Sequence, residues 1–133
     1  MDSYASDIIE ETGLLFEKSQ QQGFDFEDFV NKYMNSSLRE NIDVRHAYYA
    51  TMMNYDMLDF MLNKEKLKVK HNDNPFDYIL ANWIGEFYSY IQARSNLSSK
   101  EILKLLPIKK LMGMVGGLHD LDYSLAYKKV GFK

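Results

Sequence analysis

NPFDYILANWIGEFYSYIQAR, residues 74–94, decides how the rest of the chain is read. Phe76, Ile79, Leu80, Trp83, Ile84, Phe87, Tyr88 and Ile91 recur at helical spacing and form one wide apolar stripe. Asp77, Asn82, Glu86, Ser89 and Gln92 lie mostly off it. Asn74 is a good N-cap, and Pro75 suits the first helical position, where no N–H is needed. A stripe that holds the only Trp of the chain predicts a central core helix over 75–94. The expected fold is all-α: a compact single-domain bundle of about five to six helices over residues 1–133.

Working outward, 133 residues are enough for one domain with a real core. The 46% hydrophobic and 26% charged residues are ordinary globular values. The chain has no Cys, which excludes disulfides, thiolate zinc sites and cysteine nucleophiles and fits a reducing cytoplasm. Residues 1–11, MDSYASDIIEE, are acidic and lack the apolar run of a signal peptide. No stretch approaches the roughly 20 apolar residues of a membrane span. A cytoplasmic protein without membrane contact is therefore expected. The net charge of −3 hides an asymmetry: residues 1–63 carry 12 acidic and 4 basic side chains, residues 64–133 carry 7 and 12. The halves either attract each other within the fold, offer faces of opposite sign to a partner, or are solvated helix faces.

In chain order, residues 3–22 read as a helix with Ile8, Ile9, Thr12, Leu15 and Phe16 inward and Gly23 as its C-terminal glycine. Asp25 caps a short helix that turns Phe26, Phe29, Val30 and Tyr33 to the core. Ser37 and Glu40 fit a capping box. A long helix is predicted from Asp43 to Asn63. Its first stripe is Val44, Ala47, Tyr48, Thr51, Met52, Tyr55, Leu58 and Leu62. Its second is Tyr49, Met53, Met57 and Phe60. Such a helix, apolar over most of its circumference, is either deeply buried or touches a partner, and its four methionines give it an adaptable surface. Lys64, Lys66, Lys68 and Lys70 alternate with Glu65, Leu67 and Val69, which fits a short edge strand at 65–70 or a partly helical solvated connector. Ser98 and Glu101 make a second capping box, Pro107 ends or kinks the helix that follows, and residues 108–115 add a turn or two. Gly116 and Gly117 break the chain before a last helix capped by Asp120.

Motifs with chemistry are scarce. His46, His71 and His119 are the only histidines, and no Glu-x-x-His or HExxH pattern occurs. His71 with Asp73, and His119 with Asp120 and Asp122, read as an exposed loop and a capped helix start rather than as metal sites. Gly113, Gly116 and Gly117 match no phosphate-binding loop, and no GxSxG elbow is present. No catalytic, cofactor-binding or metal-binding residue is assigned, and no enzyme activity is expected. Lys100, Lys104, Lys109 and Lys110 lack the spacing of a recognition helix, which argues against direct nucleic-acid binding.

The run WIGEFYSYIQARSNLSSKEI followed by LLPIKKLMGMVGGLHDLD, within residues 83–130, resembles a small helical domain of bacterial antitoxin-type proteins. The resemblance rests on the aromatic–glycine–aromatic segment Trp83, Gly85, Phe87, Tyr88 and Tyr90, the Ser-Lys-Glu-Ile helix start, Pro107, and Leu118-His119-Asp120. It implies a non-enzymatic protein that neutralises a cognate toxin by direct binding, in some members a toxin resembling ADP-ribosyltransferases. Some members carry a repressor-type helix-turn-helix, whereas this sequence ends at Lys133 without one. The family supplies no catalytic residues. Gly85 sits mid-helix, where a missing side chain either lets another helix approach closely or is simply tolerated. The expected partner is a protein, held by Tyr49, Met53, Met57 and Phe60, since aromatic and Met side chains are enriched at interface cores. The alternative is a phage- or mobile-element-encoded inhibitor, or a self-associating structural protein, acting on another host protein; a homo-oligomer stays open.

Overall fold

The computed structural model describes residues 1–49 and 51–133, and among these it contains eight α-helices and no strand. The helices are α1 (Ser3–Gln21), α2 (Phe26–Met34), α3 (Ser37–Asp43), α4 (Asn54–Asp59), α5 (Tyr78–Ser95), α6 (Ser99–Leu105), α7 (Ile108–Leu118) and α8 (Tyr123–Lys129). The all-α expectation holds, with more and shorter helices than the spacing suggests. No helix among the described residues is long and apolar enough to cross a membrane.

The most extensive helix pair is α1 with α5, and α5 also touches α6, α7 and α8. The α1–α5 pair runs antiparallel: Gln20 near the end of α1 accepts the Phe76 N–H at 2.8 Å, while Thr12 and Gly13 face Gly85. Two glycines make the close approach. A Cβ on Gly85 would lie 2.6 Å from the Thr12 carbonyl oxygen, and one on Gly13 would lie 2.6 Å from Glu86 Cγ. Behind this crossing, Phe16 meets Phe26, Phe29 and Tyr33 edge-on at 5.6–6.1 Å. Edge-to-face aromatic pairs add to plain burial by about 0.5–1.5 kcal/mol each.

The ends of α1, α2 and α6 follow local rules. Gly23, at φ +80°, closes α1 in a Schellman turn, with Gly23 N–H on the Gln20 carbonyl and Phe24 N–H on that of Ser19. Asp25 caps α2, and Ser98 with Glu101 forms the capping box of α6. Other ends differ from the expectation. The N-cap of α3 is Ser36, not Ser37. α5 starts at Tyr78 with Asp77 as N-cap, not at Asn74. Residues 74–76 are pulled out of the helix because Gln20 holds the Phe76 amide and the Phe76 ring stacks on Phe26 at 4.7 Å. Ile79, expected inward, is consequently exposed. Gly116 and Gly117 do not break the chain but lie in the last turn of α7, which the buried Val115 and Leu118 anchor. The cap of α8 is Asp122, whose carboxylate accepts the Leu125 N–H, rather than Asp120.

The 65–70 segment alternates between inside and outside, yet it forms no strand and has Lys66, near its start, in the left-handed region. Leu67 and Val69 pack on the core while Lys66, Lys68 and Lys70 face out. Its neighbours are helices, which offer no ladder, so side chains take up the slack. Asp28 accepts the Lys70 N–H at 2.8 Å, Lys32 donates to the Lys68 carbonyl, and Glu65 accepts the Leu38 N–H at 2.7 Å. A single antiparallel bridge, Phe24 to His71, is all the pairing there is among the described residues.

At the other end, Tyr123 on α8 lies 5.5–6.1 Å from Trp83, Phe87 and Tyr90 and binds α8 to α5. Tyr123 O–H donates to Glu86 at 3.1 Å. Burial pushes the Glu86 carboxyl above its ordinary 4.5, outweighing that hydrogen bond, and Glu10 adds to the rise. The folded chain therefore binds a proton here that the unfolded chain has released. The associated stability is full below pH 4.5 and is lost as pH rises through the raised folded-state value. Glu86→Gln keeps the acceptor and removes the charge, so it should raise Tm at pH 7 by about 2 °C. Thermal melts at pH 7 and pH 4 check this: the gain should close at the lower pH, and a gain that persists there would place its origin outside the carboxylate.

Candidate functional site

The predicted 43–63 helix is the largest departure, and it creates the site. α3 ends at Asp43 in a Schellman turn, with Arg45 N–H on the Ile42 carbonyl and His46 N–H on that of Asn41. The left-handed position is Arg45, at φ +59°, a conformation that costs an ordinary L-residue about 1–2 kcal/mol. Tertiary contacts hold it there. The Arg45 guanidinium meets the Asp2 carboxylate at 2.6 Å and lies over the Tyr4 ring at 4.7 Å. The Asp2 carboxyl is held down at about 2 by that hydrogen bond and by the Ala5 N–H. A short 3-10 turn, Ala47–Tyr49, follows, and then α4.

α4 is fixed to α1 by Glu11, which accepts both the backbone N–H and the side-chain amide of Asn54, at 2.8 and 3.0 Å. Its first turn is closed by Asp56, which accepts the Met53 N–H at 3.3 Å. The helix continues into a single π turn, Phe60–Lys64, where Glu65 N–H reaches the Phe60 carbonyl. Lys66, at φ +54°, ends it. The segment 46–65 is thus bounded by two non-glycine residues in the left-handed region. Such positions persist only where surrounding contacts over-determine them, and they concentrate at functional sites.

Breaking the helix re-sorts its two stripes. Met57 is fully buried beside Leu58 and Met61, so it belongs to the core and is withdrawn from the expected contact set. Tyr49 and Phe60 are half-buried, edge to face at 5.7 Å, and form a backing layer. Met53 is 44% exposed and accepts the Tyr55 O–H on its sulfur at 3.2 Å. From the first stripe, Val44 at 71%, Tyr48 at 69% and Tyr55 at 52% are exposed. Tyr48 packs edge-on against Tyr49 at 5.0 Å. Sequence reasoning missed these three. The available signal was that two full apolar stripes on one helix are more than a chain of this size buries. Of the other exposed apolar side chains, Tyr78, Ile79, Leu105 and Leu125 sit on other helices.

Between Tyr48, Met52 and Phe60 lies an open hollow of about 300 Å³, with Asp56 and Asp59 on its wall and Lys64 at its edge. A second hollow, of about 210 Å³, lies against Asp7, Glu11 and Met53 and shares Thr51 and Met52 with the first. Among the described residues no Lys or Arg pairs with Asp7, Glu11, Asp56 or Asp59. The ion pair between the acidic and basic halves is Lys100 with Glu40, so most of the acidic excess faces solvent.

The histidine candidates are elsewhere and serve structure. His119 bonds the Val115 carbonyl at 3.0 Å and lies 3.4 Å from Asp120, while Asp122 caps α8. His71 stacks on Phe24 at 5.2 Å. No group of three metal-ligating side chains occurs among the described residues. No protein-family model, curated protein or solved structure matches the chain.

Proposed function

We propose that this is a non-enzymatic binding protein that neutralises a partner protein by direct contact, in the manner the resemblance over residues 83–130 implies for antitoxin-type domains, and that it acts in the cytoplasm. One observation carries the reading: Tyr48, Met53 and Tyr55, three large apolar side chains within eight residues, stand in solvent on a segment bounded at both ends by a left-handed residue. Scattered exposed apolar residues need no explanation, but a group this close in sequence, with Tyr48 lining one hollow and Met53 the other, marks an interaction site. Tyr and Met are also the side chains enriched at the cores of interfaces.

The test is an affinity capture from host lysate, read by mass spectrometry, followed by titration of the captured partner into wild-type and variant protein. Tyr48→Ser combined with Met53→Ser should weaken the complex by at least about 100-fold, the scale of two interface anchors lost together. Both side chains are largely exposed, so urea unfolding should move by no more than about 0.5 kcal/mol. An unchanged affinity would remove this surface from the interface.

A further inference from the structure

We infer that the two hollows, which share Thr51 and Met52 in their linings, together take a cationic, extended segment of the partner, a lysine or arginine flanked by an apolar side chain. This rests on the protein-binding reading above and narrows it to one chemistry. The floor of the larger hollow is apolar, made by Met52 and Phe60, with Tyr48 beside it presenting an exposed ring. Four carboxylates line the two, Asp56 and Asp59 in one hollow and Asp7 and Glu11 in the other, against the single ammonium of Lys64.

Those carboxylates are only partly used by the fold. Asp56 gives one oxygen to the Met53 amide, Asp59 one to Asn63, and Glu11 one to Asn54. The other oxygen of each is left to solvent or to an incoming donor, and no basic side chain of the described residues neutralises them. A cation set over an exposed tyrosine ring and beside carboxylates gains from both. A flanking apolar side chain would cover the Met52 and Phe60 floor. A volume near 300 Å³ is at the small end of ligand sites, which suits side chains of a peptide segment rather than a cofactor. The excess of acid over base in residues 1–63 adds a long-range attraction for such a segment.

The experiment titrates ¹⁵N-labelled full-length protein with a capped hexapeptide of alternating lysine and leucine, and separately with its glutamate counterpart. The lysine peptide should shift the amides of Asp7, Glu11 and residues 51–64 in a saturating manner. The glutamate peptide should leave them in place. Raising salt from low to near-molar concentration should weaken the lysine peptide by about tenfold or more, as screening requires. Asp56→Asn with Asp59→Asn keeps shape and acceptors and removes charge, and should weaken it by a similar factor. Shifts that map elsewhere, a glutamate peptide that binds equally, or an indifferent double variant each overturn the inference. The same amides shifting on dilution of the protein alone would make a second copy the occupant and also overturn it. A partner captured through Tyr48 and Met53 alongside a negative peptide titration would retain the protein-binding reading and remove only its cationic chemistry.

Discussion

Arg39→Ala should lower the free energy of unfolding by about 3–5 kcal/mol, out of a total on the order of 5–15 kcal/mol for a domain. Arg39 is 1% exposed, in the middle of the protein. Its Nε donates to Asp43 at 2.8 Å, and its Nη1 donates to Thr12 on α1, Tyr33 on α2 and Ser89 on α5, at 2.9–3.2 Å. Asp43 in turn accepts the backbone N–H and hydroxyl of Ser99, at the start of α6. One guanidinium therefore joins five helices. Burial alone would disfavour its charge, but Tyr33 and Asp43 outweigh that and push its pKa above the ordinary arginine value. Removing it leaves the Asp43 carboxylate almost dry and without its counter-charge, and that orphaned charge is the main cost. Arg39→Met tests the assignment because it refills most of the volume. Alone it should stay about 2–4 kcal/mol below wild type; with Asp43→Asn it should recover about half of that loss. Urea unfolding of the two variants decides the matter. Equal losses would move the cost from the charge to the severed hydrogen bonds. Arg39 Nη2 is buried and has no hydrogen-bond partner among the described residues.

That network also shows where the sequence stops being legible. Arg39 sits in the short, largely polar helix α3, and nothing local in the sequence distinguishes it from a surface arginine. What local chemistry decides was readable: the Gly23 turn, the Asp25 cap and the Ser98 box are each written within four residues. The alternation of Leu67 and Val69 with lysines was readable as inside and outside, but not as strand or coil, because that depends on what lies alongside. The 43–63 segment failed for a related reason. Periodicity records which residues are apolar on a helix, not whether the helix is continuous. The break is enforced at Arg45, which has no glycine to announce it and is held by Asp2 and Tyr4 from the far end of the chain. Once the helix breaks, the face assignments on either side lose their common phase. Met57 turns in, while Tyr48 and Tyr55 turn out. The exposed apolar group thus falls in the segment the sequence singled out but mostly on other side chains, with Met53 shared between the two.

Gly85→Ala should destabilise by about 2–3 kcal/mol, whereas Gly113→Ala should stabilise by about 0.5–1 kcal/mol, although both replace a glycine inside a helix. Propensity alone favours alanine at both positions. The difference is what the new methyl would meet. At Gly85 it would fall 2.6 Å from the Thr12 carbonyl oxygen and 3.0 Å from Gly13 Cα, both backbone, and 3.0 Å from Phe16 Cγ. Backbone atoms in a packed helix cannot step aside, so α1 and α5 must separate along the largest contact in the protein. At Gly113 nothing lies within 4 Å, and the helix gains order without a clash. Gly13→Ala should fall between the two, because its closest contact is the Glu86 side chain, although the Asn82 carbonyl oxygen at 3.0 Å limits the relief. Denaturant unfolding of the three variants checks the order. Equal effects at Gly85 and Gly113 would mean that helix propensity, not close approach, explains the mid-helix glycine. The consequence extends to binding. α1 carries Asp7 and Glu11, and Glu11 holds the first residue of α4. A Gly85→Ala protein that still folds should therefore lose partner affinity without any change in the side chains of the surface itself, because the helix that positions that surface has moved.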